Sequence, residues 1–389
     1  MQSQSNVHDR VVAKSVPHAL MLPQQPVSGD GDAAKMRRRK VLFVGLLPPP
    51  VDGQRTITQR MLERFDAATT VACCNADRFP RLGPLSKLLS AICACFVLLG
   101  ARLRGYATLY LAPHSGTGLI YSCLIAWVSR RFGYELTVHY HSYRNLKRRS
   151  ALMALFIAIC GPATHVVLAP PMARDLQRLY RRARRVVVVS NTPFVAPRQV
   201  ARQFGARRLR IGHLSNLSRE KGIGTVLQCL HELKKRGLDV ELRLAGPAED
   251  ADTSALIACA QAEFGESISY LGRLGPREVA RFYEEIDIFL FPSFHEHEAE
   301  PLVLIDAVSA GVPVIATDRG CISYLIGSAG AVLPAARFVD RAVEQIALWA
   351  NSPDMLSDAS DRARARFAEV HHQSQTQLDQ LFASIFAEA

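Results

Sequence analysis

Aromatic side chains are scarce in this chain, only 7% of its residues, so stacking platforms for single-stranded bases are not prominent. Nor is any stretch apolar for long enough to cross a bilayer. Leu88 to Ala101 runs for about 14 residues, short of a span. Ala151 to Ala169 is interrupted by Gly161-Pro162 and Thr164-His165, and reads as helix, turn and buried strand. The first 37 residues lack an apolar h-region, which argues against a signal peptide. They read as a disordered polar tail over 1–37 that leads into the basic run Lys35 to Lys40. The nine cysteines (Cys73, Cys74, Cys93, Cys95, Cys123, Cys160, Cys229, Cys259 and Cys321) are odd in number and include no C-x-x-C pair. That argues against a secreted disulfide framework or a structural zinc site, and a reducing cytoplasm fits best. His295-Glu296-His297-Glu298 lacks the H-E-x-x-H spacing that puts two ligands on one helix face, so no metal is expected.

What is present describes a globular protein, 49% hydrophobic and 21% charged, and 389 residues are too many for one ordinary core. Two domains are expected. The formal net charge of +12 is concentrated in Arg144, Lys147, Arg148 and Arg149, and in Arg178, Arg181, Arg182, Arg184 and Arg185. Such clusters attract phosphates on nucleic acid or anionic lipid, or simply form a solvated face. With no nucleic-acid motif beside them, no nucleic acid is expected, and an anionic membrane surface is the favoured partner.

Lys40 to Gly45 is a short continuous apolar run, as in a strand buried on both faces. A proline loop and Val51-Asp-Gly-Gln54 follow, then a helical pattern from Thr56 to Phe65. This loop has a glycine but no G-x-G-x-x-G fingerprint. Strand-like Thr108–Ala112, Glu135–His141, Thr164–Ala169 and Val186–Ser190 alternate with helical segments, which implies a mainly parallel sheet over 38–190. A polar, proline-containing linker is expected over 191–205. The pattern restarts at Leu209 and runs through a second α/β domain over 206–370, with a helix over 371–389 that can reach back to the first domain. Two domains of this kind imply a shared cleft at their strand ends.

Several candidates face that cleft. Ser215 to Gly222 ends a strand with Arg219 and Lys221, which either cap a helix or neutralise a diphosphate. His139 and His141 share one strand face by period-two alternation. Gly272 lies in a loop that either turns the chain or lets a flat base approach the backbone. The most informative stretch is Glu298 to Ile315. Two carboxylates, Glu298 and Asp306, stand eight residues apart, beside an apolar helix-like run and Gly311-Val-Pro-Val-Ile315. A helix N-terminus with free N–H groups and acidic side chains beside it suits a nucleotide-sugar diphosphate.

In this order the elements resemble glycosyltransferase family 4, over residues 40 to 389 and most strongly from Ser215 to Pro334. Glu298, seven residues and Asp306 match that family's paired-acid pattern. Leu214 to Gly222, Tyr270-Leu-Gly-Arg273, Asp287 to Ser293 and Gly330 to Pro334 match its other motifs. The resemblance implies an α/β GT-B fold, with two Rossmann-like doubly wound domains facing a cleft and a C-terminal helix crossing back. It implies a retaining transferase that moves a sugar from a nucleotide-diphosphate donor to a saccharide or lipid-linked acceptor. No cofactor or metal is implied. By position, Glu298 would contact the donor sugar and His141, with His139 as the alternative, would lie by the transferred centre. Asp306 would hold the ribose, Lys221 the diphosphate, and the amides of Leu302 and Val303, just past Glu300, the phosphate oxygens. Gly53 and Gln54 would close the phosphate site from the first domain. Asn216 stands where the family carries an arginine, with Arg219 as a substitute for its charge; Asp52 replaces a glycine, Pro301 another, and Asp306 a glutamate. These departures keep two alternatives open: a degenerate domain that binds sugar nucleotide or a partner, and a sugar-nucleotide epimerase.

Overall fold

The computed structural model describes residues 39–49, 52–75, 85–198, 200–205 and 208–386. The tail expected over 1–37 lies outside them. The first half runs β1 (Val41–Gly45), α1 (Gly53–Ala68), β2 (Val71–Asn75), α2 (Leu85–Leu103), β3 (Thr108–Leu111), α3 (Leu119–Arg131), β4 (Glu135–His139), α4 (Ala151–Cys160), β5 (Thr164–Val167), α5 (Pro170–Leu179) and β6 (Arg185–Val188). Its sheet is wholly parallel, in the order β2-β1-β3-β4-β5-β6. Alternation along β1 splits the core. Leu42 and Val44 pack toward the side covered by α2–α5, and Val41 and Phe43 toward the side covered by α1.

The second half runs β7 (Leu209–Leu214), α6 (Ile223–Lys235), β8 (Val240–Ala245), α7 (Ala251–Phe264), β9 (Ile268–Tyr270), α8 (Pro276–Glu285), β10 (Ile288–Phe291), α9 (Leu302–Ser309), β11 (Val314–Thr317), α10 (Ile322–Ile326), β12 (Gly330–Leu333), α11 (Phe338–Asn351) and α12 (Pro353–Phe386). Its parallel sheet has the order β12-β11-β10-β7-β8-β9. The chain direction across this sheet reverses between β7 and β10, and across the first sheet between β1 and β3. Loops leaving neighbouring strands at such a reversal diverge to opposite faces and leave a crevice at the strand C-termini.

Helix α12 is continuous, so the boundary expected at 370/371 falls inside it. Leu356 and Phe367 pack on second-domain cores, while Leu378, Leu381 and Ile385 complete the first-domain core around Val41, Phe43 and Phe65. Phe382 stacks on Phe65 with ring centroids 4.5 Å apart.

Three local differences from the sequence expectation have physical causes. α1 starts at Gly53 rather than Thr56 because the Asp52 carboxylate accepts the Arg55 N–H at 2.8 Å, a cap of about 1 kcal/mol. β4 ends at His139, which leaves His141 in the loop beyond it. β2 is an additional edge strand at Val71–Asn75, half-buried and therefore without a continuous apolar run.

Candidate active site

The two reversals face each other across one cavity of about 690 Å³, within the range of small-molecule sites. On the second-domain side, His213 at the end of β7 bonds the Leu290 carbonyl through Nδ1 at 2.8 Å and the Ser215 hydroxyl through Nε2 at 3.0 Å. Burial pushes this imidazole down to about 4, so it acts as a neutral brace between β7 and β10. Gly246 lets β8's exit pass directly over β7's: a Cβ there would lie 1.8 Å from the Ser215 carbonyl oxygen. The loop then turns at Gly222, whose φ of +82° and close approach to the Pro292 carbonyl both require glycine.

This loop carries Lys221 to Glu298, and the two side chains form a largely buried ion pair. The Ser293 hydroxyl donates to the same carboxylate oxygen of Glu298 at 3.1 Å. Glu298 is held from behind by Gly320 (φ +54°), where a Cβ would stand 2.1 Å from the Glu298 carbonyl oxygen. The Cys321 N–H donates to the Ala299 carbonyl at 2.9 Å. Immediately beyond, α9 opens at Leu302 behind Pro301, and both Leu302 and Val303 line the cavity. The first-turn amides of a helix have no partner within it.

From the first domain, Gly53 and Gln54 bring the capped N-terminus of α1 to the opposite wall, with Thr56 and Arg60 on the following turns. Arg60 donates to the Phe194 carbonyl at 2.5 Å. His141 lines the cavity, and burial pushes its pKa down to about 4, so it faces a ligand as a neutral imidazole. His139 sits behind it in the core, hydrogen-bonded to the Tyr110 hydroxyl, with its ring 4.1 Å from that of His141. The pairing of two histidines read from the strand thus resolves into one lining residue and one core residue.

Glu298, His141, Gly53, Gln54, Asn216, Lys221, Glu300, Leu302, Val303 and Asp306 all line this cavity. Two of the expected site residues do not. Arg219 lies in a separate cavity of about 620 Å³ between α6 and α7, 3.7 Å from Asp252 and with its side chain 83% exposed. Its side chain faces Asp252 on α7 rather than the cleft, so in this arrangement it does not stand in for the charge absent at Asn216. Gly272 holds φ +65° and its carbonyl accepts the Gly246 N–H at 2.7 Å, so it braces the wall while its neighbours Arg273 and Leu274 line it.

Two acids have partners that sequence reasoning missed. Glu300 accepts the Ser190 hydroxyl at 2.7 Å and the Asn191 N–H at 2.6 Å, so it grips the interdomain crossover. Burial pushes its carboxyl up to about 7, against the pull of those hydrogen bonds. Asp306 is paired with Arg198 of the linker at 2.9 Å; burial raises its pKa, while Arg198 and Arg60 draw it back. Arg144, grouped by sequence with a surface cluster, instead lines the cavity and packs its guanidinium over Gly116. His295 pairs with Glu220 at 2.9 Å, and among the described residues no three His, Cys, Asp or Glu side chains are grouped to hold a metal.

A family model described as Glycosyl transferases group 1 matches residues 201–366. The amylovoran biosynthesis glycosyltransferase AmsK of Erwinia amylovora is 29% identical over 122 residues, 30% of this chain and 30% of that protein. The alpha-monoglucosyldiacylglycerol synthase of Streptococcus pneumoniae is 25% identical over 237 residues, 55% of this chain and 53% of that one. The chain thus spans from under a third to about half the length of these curated relatives. Anabaena HepE, solved in complex with UDP, superposes with a TM-score of 0.64 at 17% identity, over 88% of this chain and 99% of its own. Residues 201–366 therefore match the Glycosyl transferases group 1 family, and the described chain carries the two-domain GT-B fold.

Proposed function

We propose that the chain is a retaining glycosyltransferase of the family 4 type, transferring a hexose from a nucleotide-diphosphate sugar to a saccharide or lipid-linked acceptor. Its place would be polysaccharide or glycolipid synthesis at a cytoplasmic, anionic membrane surface. One observation carries the reading. Lys221 and Glu298 meet at the reversal of the second sheet, beside the N-terminus of α9 and facing that of α1, in one cavity. Support comes from the names of the relatives, one acting in amylovoran biosynthesis and one making a monoglucosyl lipid, and from the UDP held by HepE.

The donor diphosphate lies against the amides of Leu302 and Val303, with Gly53 and Gln54 closing over it. Lys221 leaves Glu298 to meet the phosphate, and the freed Glu298 faces the sugar hydroxyls. As the anomeric C–O bond breaks, its electron pair passes to the leaving phosphate oxygen. The acceptor hydroxyl forms the new bond on the same face and gives its proton to that oxygen. Lys221 and Arg273 stabilise the developing negative charge in the enclosed site, and we assign this role to no metal. His141, neutral, hydrogen-bonds the sugar beside the reacting carbon.

The test is nucleotide release from a panel of nucleotide sugars with saccharide and lipid acceptors, in EDTA, with the anomeric configuration of the product read by NMR. Release with retained configuration is expected. No donor binding and no release across the panel overturns the transferase reading; an inverted product overturns the retaining one. A second reading, donor binding without turnover, is favoured by the Asp306–Arg198 pair, which occupies a carboxylate oxygen assigned to ribose. Measurable binding with no release selects it.

A further inference from the structure

Helices α2, α3 and α4 lie side by side over the first sheet, and α2 is apolar on two faces. Ala91, Ala94, Leu98 and Ala101 point into the core. Leu88, Ile92, Phe96, Leu99 and Leu103 form a second stripe, spaced four, four, three and four residues apart, on the outer side. Phe96 is 71% and Leu103 82% exposed. The stripe continues onto the neighbouring helices: α3 presents Ile120 and Trp127, seven residues apart on one face, and α4 presents Leu155. Single exposed apolar side chains are ordinary on a soluble surface, but a patch across three adjacent helices is not.

The charge around this patch is mostly of one sign, with Asp175 on α5 bound to Arg178 at 2.8 Å. From Arg78 to Arg174 the chain has twelve Lys and Arg against a single acid, Glu135, which is bound to Arg39 at 2.5 Å. Beside the patch, Arg149, Arg178, Arg181 and Arg182 surround a cavity of about 640 Å³ between α4 and α5, and its wall is the apolar side of α4 at Leu155, Ile157 and Ala158. Cationic groups over an apolar wall match a phosphate ester whose hydrocarbon continues beneath it.

We propose that the outer face of α2–α4 is a bilayer-docking surface, settling Phe96, Leu103, Trp127 and Leu155 among the acyl chains of an anionic leaflet while the arginines between α4 and α5 take the lipid phosphates. The proposal rests on the membrane clause of the functional reading and not on sugar transfer. Charge complementarity favours lipid over a second copy of the chain, because a pair of copies joined here would oppose two cationic rims. The contact is peripheral: among the described residues no helix is long and apolar enough to cross a membrane. Amphipathic surfaces of this composition lie in the interface plane.

The chain supplies its own reporter. Of its two tryptophans, Trp127 is 58% exposed on the patch and Trp349 is 4% exposed in the second-domain core. The full chain is mixed with vesicles of phosphatidylglycerol and phosphatidylcholine in equal parts, and co-sedimentation and tryptophan emission are read. Co-sedimentation with a blue shift is expected, and neither with phosphatidylcholine alone. Trp127→Phe should keep the sedimentation and lose the shift. Phe96→Asp with Leu103→Asp should weaken partitioning by at least about tenfold, and Arg181→Glu with Arg182→Glu should weaken it and flatten its salt dependence. Nucleotide-sugar binding, unchanged in both pairs, certifies their fold. No sedimentation, sedimentation without the shift, or a lipid-free blue shift that grows with protein concentration as the chain self-associates each overturns the proposal. Vesicle binding without donor binding instead overturns the transferase reading and leaves this one standing.

Discussion

Both halves of the molecule are six-stranded parallel sheets with one reversal of direction, yet they spend their side chains differently. Across its reversal the second half builds a tight polar lattice. His213, Ser215, Lys221, Ser293 and Glu298 are fixed by hydrogen bonds, and by glycines that only close backbone approach explains. The first half brings to the cleft a helix N-terminus, one neutral histidine and two arginines, and devotes the outer face of α2–α4 to apolar and basic groups. Geometry and the main cation are thus fixed on one side of the cavity, and the other brings up a helix N-terminus and cations at the rim. A donor bound to the rigid wall and covered by the other would be enclosed only when both are present.

The sharpest way to break that contrast is to remove one cation from each wall. Lys221→Ala should lower sugar transfer about 100- to 1,000-fold, as expected when a donor aimed at developing charge is lost. Arg60→Ala should cost about tenfold, mostly in KM, because Arg60 is tied to the Phe194 carbonyl and acts at the rim. Steady-state kinetics on the two variants decides it: equal losses would mean that the first domain carries the electrostatics as well.

A smaller effect is expected from the glycines. Gly320→Ala forces a Cβ onto the Glu298 carbonyl at positive φ and should cost about 2–3 kcal/mol by urea unfolding, with transfer lost alongside. In the first half, Gly105→Ala (φ +85°) meets nothing within 4 Å and should cost about 1 kcal/mol, for conformation alone. Similar costs for both would show that the acidic loop is free to move and that the second-domain wall is not rigid.

The hinge between the halves should carry a pH signature. The folded pKa of Glu300, raised by burial to about 7, exceeds the ordinary glutamate value of 4.5. Protonation is therefore favoured in the folded state. The stability this gives is fully present below about 4.5 and is lost as pH rises through about 7. The buried histidines His139, His165 and His213, with lowered values, act in the opposite sense, so the wild-type profile is a sum. Glu300→Gln isolates the term: its stability relative to wild type should rise between pH 4.5 and 7 and level off above. A difference that does not vary over that window would show that Ser190 and Asn191 fully compensate the buried charge.

How much of this was legible follows the same division. The Glu298–Asp306 spacing, the Lys221 loop and the turn at Gly272 could be read because backbone chemistry ties each to a short local pattern. β2 could not, since a half-buried edge strand reading Val-Ala-Cys-Cys-Asn has neither continuous nor alternating apolarity. The outer stripe of α2 was hidden inside a run that looked merely apolar; telling two faces apart needs to know which one the sheet covers. Glu300 and Asp306 were placed at the cavity, but their partners Asn191 and Arg198 lie 109 and 108 residues away, a distance no local signal spans. Arg219 went astray for the opposite reason. It is two residues from Lys221, and closeness in sequence does not make two side chains share a cavity.

That last case gives the smallest expected effect and the most pointed one. Arg219 and Asp252 form an exposed pair at 3.7 Å in the cavity between α6 and α7, outside the cleft, and such pairs contribute little and are screened by salt. Arg219→Ala should therefore leave donor affinity and turnover within about twofold of wild type, the usual range for a surface substitution away from the site. If Lys221 alone serves the diphosphate from this loop, the double variant Arg219→Ala with Lys221→Ala should match Lys221→Ala alone. A further tenfold loss in the double variant would mean that the loop reorganises on binding and swings Arg219 over the turn. The second-domain wall would then not be rigid at this loop.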